Sequence, residues 1–103
     1  MSIHTSITAD QTLLEIMVTS ARATGIAVMV DPGGNLGSGT LDIRARPVNS
    51  LSATPIVLND ATALALGDQK ALHVGARMTI FLNMAGSTNP DVDIFISEIG
   101  GSL

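Results

Sequence analysis

Three segments of the chain alternate apolar and polar residues with a period of two, which commits them to extended strands with one face in a core. In TLDIRAR, Leu41, Ile43 and Ala45 point one way while Asp42, Arg44 and Arg46 point the other. RMTIFLNM sets Met78, Ile80, Leu82 and Met84 against Arg77, Thr79, Phe81 and Asn83. DVDIFISEI sets Val92, Ile94 and Ile96 against Asp91, Asp93, Phe95 and Ser97.

Earlier segments are more apolar and less regular. GIAVMV (25–30) reads as a buried or interface strand, and TPIVLN (54–59) and KALHV (70–74) as short strands. TLLEIMVTS (12–20) holds Leu13, Ile16 and Met17 at a helical spacing, but its β-branched content and its short apolar run favour a strand. ATALAL (61–66) stays open between strand and helix, because alanine and leucine also favour helices. DPGGNLGSG (31–39) is a flexible Gly-rich connection, and NSLSA, NDA, GDQ and AGSTNPD supply turns. Seven to eight short strands between turn signals predict an all-β chain. The architecture that follows is a single antiparallel β-sandwich, jelly-roll or immunoglobulin-like. No composition break divides the 103 residues. Residues 12–103 are expected to form the sandwich and residues 1–11 an N-terminal arm or edge segment, with His4 in mobile chain.

Composition bears on partners. Charged residues are 14% of the chain, against about 25% in ordinary soluble domains. Hydrophobic residues are 46%, and a domain this small exposes a large share of its residues. Some apolar groups must therefore face outward, and contiguous exposed apolar area marks a partner surface. The plainer alternative is that abundant Ala, Gly, Ser and Thr leave a surface that is merely uncharged. The net charge is −4, and the five basic residues, Arg22, Arg44, Arg46, Lys70 and Arg77, form no basic run. With Phe81 and Phe95 as its aromatic residues, the chain lacks both the cations and the stacking platforms that nucleic acid requires. No apolar run approaches the ~20 residues of a membrane helix, and the N-terminus lacks the pattern of a secretory signal. The expectation is a soluble protein made in the cytoplasm, with no nucleic-acid or membrane partner. Cysteine is absent, so neither disulfides nor thiol chemistry contribute.

No residue set carries a recognisable reaction, so no catalytic or cofactor-binding residue is assigned and no enzyme is expected. His4 and His73 stand far apart without a cysteine, which matches no zinc spacing. Asp91 and Asp93 share a strand face and are the weak candidates for a metal, but calcium takes six to eight oxygens around a loop. A solvated strand edge that resists aggregation explains the pair more simply. GGNLGSGT lacks the lysine of a phosphate loop and leads into a strand, not a helix. The lack of Trp and Tyr leaves little on which a sugar could stack. The residues taken as facing protein partners are Ile3, Ile7 and Leu14 in the apolar N-terminal portion, with Phe81 and Phe95 on outward strand faces. The two phenylalanines either fill a second layer within the sandwich or belong to an interface.

From Val28 to Glu98 the chain resembles small β-sandwich structural proteins of tailed bacteriophages, of the head decoration or cement type. The resemblance lies in the order of elements. VDPGGNLGSG leads into TLDIRARP, TPIVLNDATALAL follows, then Lys70 to Val74 with a Gly75-Ala76-Arg77 turn, and MTIFLNMAGSTNPDVDIFIS closes the domain. SLSATPIV stands where many such proteins carry a Trp-containing segment. The resemblance implies a non-enzymatic virion protein on the capsid surface, commonly a homotrimer, with the major capsid protein or another virion protein as partner. A tail or fibre component is a close variant, and a ligand-binding β-sandwich adhesion module is the alternative of another class. The resemblance transfers no site residues.

Overall fold

The computed structural model describes residues 2–50 and 54–100, which are all-β with no helix. The NSLSA turn and the SLSATPIV segment fall partly outside them. Eight strands run in chain order: β1 Ser2–Ile7, β2 Gln11–Val18, β3 Gly25–Val30, β4 Thr40–Pro47, β5 Ile56–Val57, β6 Gln69–His73, β7 Met78–Ala85 and β8 Val92–Ile99. They form two antiparallel sheets of four, ordered β1-β8-β3-β6 and β2-β7-β4-β5. The pairs β1–β8, β2–β7, β3–β6 and β4–β5 nest inside one another, as in a long hairpin. Rolling that hairpin up adds β3–β8 and β4–β7. This is the eight-stranded jelly roll, which decides between the two sandwich topologies.

The core is the inner face of each sheet. Ile26, Val28 and Val30 of β3, with Val92, Ile94 and Ile96 of β8, pack against Leu41, Ile43 and Ala45 of β4 and Ile80, Leu82 and Met84 of β7. The alternation in the sequence thus names the inward residues of the three most regular strands. Met78, at the start of β7, is only partly buried against the core.

Departures from alternation have local causes. β2 shifts register against β7 between Gln11 and Leu14 and again between Glu15 and Met17, and Leu13 has φ +50°. Bulges of this kind insert extra residues into a strand and break its period, which explains the helical spacing there. TPIVLN gives only Ile56–Val57 as strand. The chain then continues along β4 through irregular bonds, Leu58 N to Ile43 O (2.9 Å), Ile43 N to Ala61 O (3.2 Å) and Leu64 N to Leu41 O (2.8 Å). ATALAL is therefore neither strand nor helix, and its Ala61 and Leu64 are core residues.

Ser2–Ile7 pairs along its length with β8, so the N-terminal segment is an edge strand of the first sheet. His4 lies within it, opposite Phe95. The DPGGNLGSG connection is held too. Asn35 bridges Asp91 through two 2.8 Å backbone bonds, Gly37 O accepts from Thr88 N at 2.9 Å, and Gly37 N donates to Asn35 Oδ1 at 2.9 Å. Gly37 has φ +63°, and a Cβ there would overlap the Thr88 carbonyl oxygen.

Candidate functional site

The two outer faces of the sandwich differ in chemistry. On the second sheet, Asp42 receives Nε and Nη2 of Arg44 at 2.8 and 3.3 Å, and the Arg46 guanidinium lies 5.1 Å over the Phe81 ring. Phe81 also has Arg44 and Glu15 as cross-strand neighbours. These side chains seal the face, and Phe81 is 5% exposed. The expectation that Phe81 meets a partner is corrected: alternation gives the side to which a residue points, not what covers it.

The first sheet is open. Register places its outward residues in rows across the strands. One row is His4, Phe95, Met29 and Gln69, and the next is Ser2, Ser97, Ala27 and Ala71. Beyond that come Ile99, Gly25 and His73. A tall row therefore stands beside a row of small residues, which makes a transverse trough with Ile99 and His73 on its far side. Part of the trough is a groove of about 350 Å³ lined by Ala27, Met29, Gln69, Ala71, Phe95 and Ser97. Phe95 is 42% and Met29 45% exposed, and Ile99 adds a third large apolar side chain. The His4 ring stacks on Phe95 at 4.6 Å and 11°, which fixes the ridge.

At the ridge's outer margin, Ser6 Oγ donates to Asp93 Oδ1 at 2.5 Å, and His4 Nε2 lies 3.4 Å from the same oxygen. The serine hydroxyl, and secondarily the histidine, hold the Asp93 carboxyl below its ordinary value. Serine and histidine both address the carboxylate rather than each other, so the trio lacks the nucleophile–base contact of a hydrolase.

The remaining candidates separate. Phe95 sits on the open face as expected. Ile7 is 1% exposed at the end of β1, turned into the core against Val92, and this corrects its assignment to an interface. Ile3 and Leu14 are partly buried at the core margin. Asp91 lies in the backbone bridge to Asn35, away from the Ser6–His4 contacts of Asp93. Among the described residues no three His, Cys, Asp or Glu side chains converge as a metal site. His4 and His73 lie on opposite edge strands of a four-stranded sheet and two rows apart, which at ~4.8 Å per strand and ~3.3 Å per residue puts them roughly 20 Å from each other. Sequence reasoning missed Met29, Ala27 and Ala71. The signal was present in GIAVMV, where Ile26, Val28 and Val30 alternate with Ala27 and Met29.

No family model matches the chain, and no curated protein matches it. Among solved structures it is similar to the IMPa metallopeptidase from Pseudomonas aeruginosa, with a TM-score of 0.58 and 12% identity. The match covers 98% of this chain and 12% of that chain. At this identity the likeness concerns the fold alone. The described residues contain no helix long and apolar enough to cross a membrane.

Proposed function

We propose that this chain is a non-enzymatic structural protein that works by seating on other protein chains, as a capsid decoration or cement protein on a virion surface. A place in a tail or fibre is the close variant. The observation that carries the reading is the open face of the first sheet, where Phe95, Met29 and Ile99 stand exposed beside a floor of Ala27, Ala71 and Ser97. An apolar, weakly charged patch of this kind favours protein neighbours over water. The jelly roll recurs in viral capsid proteins and in lectins; that support is analogy of fold, and the face supplies the chemistry. Many copies on a shell need only modest contacts each, because avidity multiplies them.

The test is composition of particles banded by density from cultures that express the gene in its native context. The chain should co-band with heads or tails at a fixed stoichiometry, and Phe95→Asp should release it. Its absence from particles overturns the reading.

A second reading, favoured by the 350 Å³ groove, is a ligand-binding adhesion module. Titration calorimetry with calcium and with simple hexoses tests it. Heat of binding that disappears in Asp93→Asn or Phe95→Ala would move the assignment to this class.

A further inference from the structure

We infer that the open face of the first sheet is a self-association surface, and that its occupant is a second copy of this chain related by a two-fold axis running along the rows. The inference rests on the reading of the chain as an association module and names one partner for that face.

The relief of the face selects the geometry. Two sheets that pack face to face interdigitate side chains across about 10 Å. A dyad parallel to the rows, set between the tall row and the small one, turns each row onto the other. His4 then falls over Ser2 of the second copy, Phe95 over Ser97, Met29 over Ala27 and Gln69 over Ala71. Every large side chain meets the small residue two positions away in its own strand, across all four strands. A dyad along the strands would instead set Phe95 and Met29 of both copies against each other. An isologous contact requires a patch complementary to itself, and the tall row beside the small row meets that condition in one of these two arrangements.

Charge makes the same choice. Beyond the tall row lie Asp93 and Asp31, adjacent through a 2.9 Å backbone bond. Beyond the small row lie His73 and the β2–β3 loop, where the Arg22 carbonyl adjoins Gly100 and Arg22 is exposed. The chosen dyad brings the acidic end of one copy to the mixed end of the other, where exposed Arg22 shares the β2–β3 loop with Ser20, whose amide donates to the Glu98 carboxylate. The alternative dyad would bring acid to acid, which is destabilising. Four strands at ~4.8 Å and up to eight residues at ~3.3 Å give this face roughly 500 Å² in outline, before the relief of its side chains is added, against the ~800 Å² each partner buries in a standard interface.

Sedimentation velocity and native mass spectrometry across the micromolar range test the inference. The wild-type chain should be dimeric. Ala27→Arg fills the trough and should raise the dissociation constant by about 100-fold or more, the scale of a central hot spot. Glu15→Arg, on the opposite outer face, should leave the dimer intact, and circular dichroism confirms that each variant folds. Asp93→Lys and Arg22→Glu should each weaken the dimer, and the two together should restore it. A monomeric wild type, or a dimer indifferent to Ala27→Arg, overturns the inference. A monomer that still co-bands with particles overturns this inference and leaves the proposed function standing; a dimer missing from particles does the reverse.

Discussion

Gly37→Ala separates two physical effects that glycine relieves at one position. Gly37 sits at φ +63°, and its Cβ position lies 3.0 Å from both the amide nitrogen and the carbonyl carbon of Thr88, closer still to the oxygen. Gly86 has φ +70° with nothing within 4 Å of a Cβ. The left-handed conformation costs a residue with a Cβ about 1–2 kcal/mol, and Gly86→Ala should show that penalty alone. At Gly37 the Thr88 backbone must also retreat, which breaks the Thr88–Gly37 bond and loosens the Gly37–Asn35 bond, each worth about 1 kcal/mol. Gly37→Ala should therefore destabilise by about 3–4 kcal/mol, a large part of the ~5–15 kcal/mol that holds a domain of this size. Urea unfolding followed by far-ultraviolet circular dichroism is the assay, since the chain has no Trp or Tyr to report by fluorescence. The midpoint should fall with the slope unchanged. If Gly37→Ala and Gly86→Ala agree to within about 0.5 kcal/mol, close to the scatter expected for such measurements, the steric argument fails.

Further outcomes follow from other contacts. Thr19 is buried, its hydroxyl donating to Gly75 O (2.9 Å) and accepting from Met78 N (2.8 Å). Thr19→Val should cost about 2–4 kcal/mol by stranding both groups, while Thr19→Ser keeps most of the stability; equal losses in urea melts would refute the bridge. Arg46→Ala should uncover Phe81 and cost about 1 kcal/mol, more than Arg46→Lys, which keeps a cation near the ring; the reverse order would refute the cation–ring contact. Asp10 is held below its ordinary pKa by the Ser87 hydroxyl and amide, and Asp93 by Ser6 and then His4. Their folded pKa values lie below the unfolded ones. The stability they add is therefore complete above the ordinary aspartate value and is lost as pH falls through the folded value. Urea midpoints should drop on acidification below about pH 4, and Asp10→Asn with Asp93→Asn should flatten that drop. An unchanged acid slope would show that these bonds do not matter.

How much of this was legible in the sequence depends on how regular each strand is. β4 and β7 pair with each other, and β8 with β1 and β3, without register shifts, so their alternation survives and their inward faces are readable. β2 carries two register shifts, and its residues read as half helical. Residues 58–64 follow β4 by irregular bonds, which no period encodes. The nested pairing was beyond reach because each pair joins distant segments, and alternation names a face without naming the neighbour. The same limit governs the site. Phe81 and Phe95 carry the same signal, an aromatic residue on the outward side of a strand. Phe81 is roofed by Arg46 from β4, whereas Phe95 is flanked by His4 on β1, and only the strand order distinguishes a covered ring from an open one.

The nested pairing also sets a timetable. β1 has no partner until β8 exists, and β2 none until β7. During synthesis β1 and β2 therefore wait, with Ile7 and the β8-facing edge of β3 open, until β7 and β8 have been made. The closing contacts span almost the whole sequence, so loop closure is slow and folding falls in the millisecond-to-second range of non-local β topologies. Until then β3, the most apolar strand, lies open to its counterpart on another nascent chain. The strand arrangement that makes the finished sandwich indivisible also makes its unfinished form the sticky one.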